Sequence, residues 1–372
     1  MQNESIRRGT TTRKRILYLL YLFFVVFFSL EILLRLYNPF HFRIKGDHIV
    51  LPVNERLVIR NDINPRLDPE IVNSRNSLGF RGPEKPPHFQ DVLSIITVGG
   101  STTECHFLSD DKTWPYLMGE RLRGPVPGVW VNNAGFDGHS TFGHQVLLED
   151  YLVTIKPKVI LFLTGINDVE NEGLTFHDKQ NVRGAYNDFK HFIFNNSEVL
   201  NLCMNLVRGG RAARMNNTTN RPLNLREGKG FIMDPKALPE RKRAQSAFLA
   251  GYRQRLAQLI DTCVSHTIRP VFMTQPDLFG NGRDSLTGVD LETFGVEKEL
   301  NGKGVWEILE LYNGALKQVC AEKHVAVIDL AAQLPKNSLY FYDASHFTNA
   351  GAAKVAEIAA AGLKDILNLP GK

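Results

Sequence analysis

Short apolar runs alternate with longer amphipathic stretches over residues 91–372. Each run is continuous and rich in β-branched residues, which is typical of strands that are buried on both faces of a parallel sheet. The pattern therefore predicts five core strands. They cover Val92–Val98, Val129–Val131, Val159–Leu163, Val271–Thr274 and Val325–Ile328.

The stretches between these runs have the apolar spacing of helices. Regular alternation of strand and helix predicts right-handed βαβ units. We therefore expect an α/β fold, a three-layer α/β/α sandwich around a five-stranded parallel sheet. The predicted helices cover Trp114–Arg123, Gly143–Ile155, Arg241–Ser265, Val305–Lys323 and Gly351–Leu367.

Residues 16–37 form a different kind of apolar segment, longer and almost uncharged. As a helix it would span about 33 Å, close to the thickness of a bilayer core. Five basic residues lie in residues 1–15, which predicts a cytoplasmic arm, a signal anchor over 16–37 and a periplasmic or extracellular remainder. A cleaved signal peptide and a buried core helix are the alternative interpretations.

The net charge of +5, from 44 basic and 39 acidic residues, first suggests a nucleic-acid partner. However, residues 1–15 hold five of the basic residues and only one acidic residue. The remainder is almost neutral, so we do not expect a nucleic-acid partner. Four cysteines are too few for a disulfide-stapled scaffold, and Cys105 reads as a buried thiol.

Two segments do not follow the alternation. Residues 38–90 show no sustained period and are expected to form a juxtamembrane connector to the catalytic domain at 91–372. Residues 171–240 are an insertion in which 197–214 has the pattern of a capped, basic amphipathic helix. An insertion of this length reads either as a lid over a site or as an extra surface helix.

Ser101 follows the first core strand, after two glycines that allow a sharp turn. This position exposes the serine at the carboxyl edge of the sheet, where ligands collect, and at or near a helix N-terminus. Amide groups there would stabilise the negative charge that develops during nucleophilic attack. The alternative is that Ser101 only caps the helix.

Gly135 follows the second strand and Asn167 the third, at the same expected edge. The Gly135 N–H could approach a ligand closely, and the Asn167 amide is a donor of the type that binds an oxyanion. An ordinary loop and an Asx-turn are the respective alternatives.

Asp343 and His346 are three residues apart, so the carboxylate can meet the imidazole across one turn and orient it. The sequence contains no Walker loop or dinucleotide motif, and no convincing spacing of metal ligands. We therefore expect neither a cofactor nor a metal.

Ser101, Gly135, Asn167 and His346 occur in the order of the four blocks that name the SGNH/GDSL hydrolases, which the chain resembles over about residues 91–367. The first block reads Gly-Gly-Ser-Thr-Thr instead of Gly-Asp-Ser, which resembles membrane-anchored bacterial members. Residues 76–84 also resemble a segment of that subgroup; within them Arg81 reads as a structural salt bridge or as a substrate contact.

The resemblance implies a flavodoxin-like sheet and a Ser101–His346–Asp343 triad, with the oxyanion held by the Ser101 and Gly135 N–H groups and Asn167. It implies a serine esterase without a cofactor, whose substrate is an acylated glycan of the cell envelope or a lipid ester. The alternatives are an O-acyltransferase acting on glycans and a catalytically silent glycan-binding or scaffold domain.

Overall fold

The computed structural model describes residues 2–369 except 41, 43, 46–47, 63, 124–127, 171–191, 194, 215–222 and 298. Over residues 2–11 and 208–214 it describes the backbone but not the side chains. Its chain forms two compact units. The first combines Met1–Val50 with Arg183–Asn217, and the second combines Leu51–Val182 with Thr218–Lys372.

The first unit contains the long N-terminal helix α1 (Gln2–Leu36), which begins well before the predicted start at residue 16. Within it Thr12–Leu36 has a mean hydropathy of 2.5 and is long and apolar enough to cross a membrane, a requirement that a signal sequence also meets. The unit also holds the antiparallel pair β1 (Ile44–Lys45) and β2 (His48–Ile49). Its last helix, α6 (Glu198–Arg214), confirms the helix predicted in the insertion.

The second unit is built on a five-stranded sheet in which every pair is parallel. The strand order is β6-β5-β7-β8-β9, so the first two core strands are exchanged relative to their order in the chain. This is the flavodoxin-like order, whose direction reverses between β5 and β7. The strands are β5 (Leu93–Gly99), β6 (Val129–Asn133), β7 (Val159–Leu163), β8 (Arg269–Met273) and β9 (Ala326–Ile328).

All five predicted core strands are therefore confirmed, with ends that move by at most two residues. Alternate side chains of each strand point to opposite faces of the sheet. Ile95, Leu161 and Val271 pack into one core with helices α3 (Trp114–Arg123) and α10 (Asn349–Leu367). On the other face, the rings of Phe162 and Phe272 stack with centroids 4.7 Å apart. Burial on both faces explains why the strands read as continuous apolar runs.

The second helical layer consists of α4 (Thr141–Leu147), α7 (Ala237–Ser265) and α8 (Gly302–Glu322), in which α7 packs against both others. The helix predicted over 143–155 starts two residues earlier and passes through a π-helical turn, Leu148–Leu152, into α5 (Val153–Ile155). The three-layer α/β/α sandwich is thereby confirmed. Two short helices, α2 (Ser101–Glu104) and α9 (Leu330–Gln333), follow strand ends.

Residues from Leu51 onward, which we expected to form part of a connector, belong to the same compact unit as the sheet. They contain an antiparallel hairpin of β3 (Arg56–Arg60) and β4 (Glu70–Ser74). After the hairpin, the backbone of Arg81 pairs with Asn133 at the end of β6. The segment thus contacts the carboxyl end of β6 through a single antiparallel bridge.

Candidate active site

Ser101 is placed by a tight turn between β5 and α2. Gly100 occupies the position before the helix, and no side chain caps it, so Ser101 is not the helix cap. A Cβ on Gly100 would lie 2.4 Å from the Asn167 Nδ2 atom, and one on Gly99 would lie 2.7 Å from the Leu163 carbonyl oxygen. The turn can therefore pass this close to the end of β7 only because both positions are glycines.

Three side chains from two distant parts of the sequence form one hydrogen-bonded series. The Ser101 Oγ lies 2.7 Å from Nε2 of His346, and His346 Nδ1 lies 2.7 Å from Oδ2 of Asp343. The other carboxylate oxygen accepts backbone N–H bonds from Ser345 at 3.0 Å and from His346 at 2.7 Å. The carboxylate is thus fixed at both oxygens and presents the imidazole to the serine.

Neighbouring charges set the protonation states of His346 and Asp343. Burial favours neutral imidazole, but hydrogen bonding and charge from Asp343, with smaller contributions from Asp137 and Glu104, outweigh it and raise the pKa of His346. Burial likewise opposes ionisation of Asp343, yet the hydrogen bonds and charge of His346 lower the pKa of that carboxyl. The carboxylate stays charged beside an imidazole that is a stronger base than usual.

Asn167 lies in a one-turn 3₁₀ helix, Ile166–Asp168, directly after β7. Its Nδ2 atom donates to the His139 carbonyl oxygen at 2.9 Å and lies against Gly100. The structure therefore brings this amide next to Ser101, at the point where the strand order reverses.

Gly135 has a different environment from the one we expected. Its N–H donates to Oδ1 of Asn133 at 2.8 Å, and a Cβ at this position would lie 2.2 Å from the Glu104 backbone nitrogen. The residue is a packing contact beneath α2, and its N–H already has an acceptor. We therefore do not assign Gly135 to the oxyanion site.

Gly138 fits that role better. It has a φ of +73°, nothing lies within 4 Å of a Cβ built there, and its N–H has no acceptor within the described part of the chain. It precedes His139, whose carbonyl oxygen accepts from Asn167. The sequence shows Gly138 as a second glycine in this loop, but nothing in the sequence distinguishes its role from that of Gly135.

A buried network fixes the loop that holds Gly138. The Asp168 carboxylate accepts from the Thr141 backbone N–H at 3.1 Å and from its hydroxyl at 2.5 Å. Arg255 of α7 donates to the same hydroxyl at 2.7 Å and lies 3.5 Å from Asp168. These contacts join the loops after β6 and β7. Sequence patterns alone gave no sign of Arg255, because it is distant along the chain.

Arg81 is almost completely buried and makes structural contacts. Its Nη1 atom donates to the carbonyl oxygens of Glu104 and Cys105, each at 2.8 Å, and Nη2 donates to Leu108 at 2.7 Å. Its Nε atom pairs with Asp110 at 2.8 Å. The guanidinium thus caps the segment that follows the serine helix, which matches the salt-bridge interpretation.

A small pocket with an empty volume of about 200 Å³ opens beside Ser101 and His346. The Tyr342 ring is stacked on the His346 imidazole, with centroids 5.5 Å apart.

Cys105 is buried and unpaired, as expected, and burial raises the pKa of its thiol to about 12. No group of three His, Cys, Asp or Glu side chains in the described residues has metal-binding geometry. The remaining lining is mainly apolar: Thr102, Phe107, Leu108 and Phe347.

The GDSL-like Lipase/Acylhydrolase family matches residues 96–354, which is more than half of the chain. The chain belongs to this family. Its members are acyl-ester hydrolases, and this chain is an ester-hydrolysing enzyme with the SGNH hydrolase fold.

Solved structures with similar folds share little sequence with this chain. Axe2, an acetylxylan esterase from Geobacillus stearothermophilus, is 13% identical over 74% of this chain and 94% of its own, with a TM-score of 0.42. LAE5, an α/β hydrolase enzyme from the metagenome of Lake Arreo, is 13% identical over 73% of this chain and 95% of its own, also with a TM-score of 0.42. No curated protein sequence matches the chain.

Proposed function

We propose that this acylhydrolase is a membrane-anchored serine esterase with Ser101 as nucleophile, His346 as general base and Asp343 as the residue that orients the imidazole. The observation that supports this assignment is the unbroken hydrogen-bonded chain from the Ser101 hydroxyl through His346 to Asp343, with 2.7 Å at each step. Both distances lie within the range required for proton transfer between a nucleophile and its base.

In this mechanism His346 Nε2 takes the proton as Ser101 Oγ attacks the ester carbonyl carbon. The oxyanion is held by the N–H groups of Ser101 and Gly138 and by the Asn167 side chain, and each donor contributes about 10²–10³ in turnover. Collapse of this intermediate breaks the ester bond, and the alcohol leaves with the proton from His346. The acyl group is then bound to Ser101 Oγ. His346 takes a proton from a water molecule as the water attacks the acyl carbonyl carbon, and the acid leaves as Ser101 regains its proton from His346.

The size of the pocket favours a short acyl group. The pocket is small, and most of its lining is apolar or aromatic, which suits a short hydrocarbon acyl group. The aromatic side chains of Phe107, Tyr342 and Phe347 line it together with Ser101. We infer that acetyl and similarly short acyl esters are hydrolysed much faster than long fatty acyl esters.

The substrate that we propose is an acylated glycan of the cell envelope. The five basic residues before the apolar part of α1 place the N-terminus in the cytoplasm and direct the catalytic unit to the other side of the membrane. An anchored esterase there would act on exported polymers. Acetate release from acetylated envelope glycans tests this substrate class, and release only from lipid esters would contradict it.

The nucleophile is tested by labelling with a fluorophosphonate probe. We expect the wild type to be labelled, Ser101→Ala to be unlabelled, and both to have the same unfolding midpoint. Ser345→Ala is the matched control, because this nearby serine contributes only its backbone N–H to Asp343, and it should be labelled normally. Equal labelling of Ser101→Ala and wild type would overturn the assignment.

A further inference from the structure

The membrane-spanning helix carries one buried acidic side chain, Glu31, which caps another helix. Its carboxylate accepts from the Ser197 hydroxyl at 2.9 Å and from the backbone N–H groups of Glu198 and Val199 at 3.0 and 3.1 Å. Arg35, one turn later in α1, donates to the same carboxylate at 2.9 Å. The carboxylate thus satisfies the free N–H groups at the start of α6 and complements its dipole.

This cap fixes the position of α6 along α1. Glu31 lies five residues before the end of α1 at Leu36, a distance of about 7.5 Å along the helix axis. The start of α6 is therefore at the C-terminal end of the apolar segment, where a bilayer gives way to its headgroups. Lys45, after that end, also pairs with Glu198 of α6.

The surface of α6 is suited to that location. Leu206 and Val207 have side chains that are 60% and 55% exposed, next to the exposed Cys203. The helix has no acidic residue after Glu198, and its last seven residues include three arginines. Exposed apolar residues followed by basic ones are typical of helices that lie in the membrane interface.

We propose that α6 lies on the bilayer surface at the C-terminal end of α1, with its exposed apolar side chains among the acyl chains and with the net positive charge of its sequence attracting anionic phospholipid headgroups. Glu31 holds α6 at this depth, so the protein contacts the membrane through two elements instead of one. The proposal rests on the membrane anchor proposed above. Lipid is the occupant because the helix starts on the membrane-spanning segment, and because basic sequences next to a membrane are attracted to anionic lipid surfaces.

Cys203 provides a reporter for this contact, since Cys105, Cys263 and Cys320 are buried. The full chain is reconstituted into vesicles of phosphatidylcholine and phosphatidylglycerol and labelled there with a polarity-sensitive maleimide dye. We expect emission shifted to shorter wavelength and strong quenching by lipids that carry a spin label near the headgroup. Cys203→Ser is the labelling control and should give no signal.

Two variants test which residues hold α6 on the lipid. Glu31→Ala removes the cap, and a Leu206→Ser/Val207→Ser pair removes the apolar contact; each should reduce the quenching several-fold while the protein still floats with the vesicles. Water-like emission and no quenching from a floating wild-type protein would overturn the proposal and leave the anchor intact. Loss of flotation by the wild type would instead refute the anchor. Equal quenching without phosphatidylglycerol would overturn the role of the anionic headgroups.

Discussion

Replacing Arg81 by methionine removes a cation from the segment that follows Ser101, the proposed nucleophile. The Arg81 side chain is 1% exposed, and its guanidinium donates to three backbone carbonyl oxygens, those of Glu104, Cys105 and Leu108. Methionine keeps most of the apolar volume but none of the donors. The substitution therefore isolates the polar contribution.

The expected cost follows from these contacts. Removing one partner of a buried ion pair destabilises proteins by about 3–5 kcal/mol. The partner carboxylate, Asp110, is 31% exposed and water can partly replace the lost cation, which favours the lower end of that range. The carbonyl oxygens that lose a donor are buried, and each such group costs about 1–3 kcal/mol when water cannot reach it. We expect a loss of at least about 3–5 kcal/mol in the free energy of unfolding, and a larger loss for each carbonyl oxygen that water does not reach.

Activity should change with stability, because Cys105 and Leu108 line the pocket beside Ser101. We expect a lower kcat on a short aryl ester with little change in KM, and slower fluorophosphonate labelling. Arg81→Lys keeps the charge and should recover part of the stability but less of the kcat, since an ammonium group cannot match the planar guanidinium.

Urea unfolding and steady-state kinetics measure both effects. Arg253→Met is the matched control: this arginine pairs with Glu322, whose side chain is 62% exposed, and such pairs contribute about 0–1 kcal/mol. If Arg81→Met cost no more than this control and kept the wild-type kcat, the positioning role of Arg81 would be refuted.

Three further predictions concern the site itself. Asp343→Asn removes the hydrogen bond and the charge that raise the pKa of His346. The acid limb of the kcat/KM profile, expected above pH 6.5 in the wild type, should therefore move to lower pH, and kcat should fall about 10⁴-fold. An acid limb at the wild-type position would contradict this prediction. Asn167→Ala should lower kcat about 10²–10³-fold with KM little changed, and wild-type turnover would exclude the amide as an oxyanion donor. Gly135→Ala should destabilise the fold by about 1–3 kcal/mol or more, because its Cβ would lie 2.2 Å from a backbone nitrogen of α2. Gly138→Ala should cost only about 1–2 kcal/mol, from its positive φ, and retain activity, because the N–H remains; equal unfolding midpoints for the two variants would contradict the packing difference.

The proposed catalytic residues illustrate what becomes visible only with the tertiary structure. The sequence shows Ser101 after one strand and Asp343 three residues before His346, but Ser101 and His346 are 245 residues apart. Their contact depends on parallel strands whose carboxyl ends meet at one edge. Strand–helix alternation predicts that edge, and the structure places Ser101, His346 and Asp343 within hydrogen-bonding distance of one another there; their roles in the reaction stay a prediction.

The oxyanion donors mark the limit of this reasoning. Gly135 and Gly138 lie three residues apart in the same loop, and both satisfy the sequence pattern. Which N–H is available depends on the Asn133 side chain, which accepts from Gly135, and on the way α2 packs over that glycine. Such hydrogen bonds depend on side-chain packing, and they produce no periodic pattern in the sequence from which they could be predicted.

By itself, the sequence determined the elements and their burial. Apolar periodicity indicates whether one face or both faces of a helix or strand are buried. This local property predicted the five strands, the flanking helices and the long helix α1. Only the tertiary structure decided which distant partners each element meets. Arg81 caps the segment after α2, and α6 joins α1 through Glu31 instead of belonging to the unit of the sheet. The physical reason is that these partners are selected by chain closure and by the need to satisfy buried polar groups, both of which act between residues far apart in the sequence.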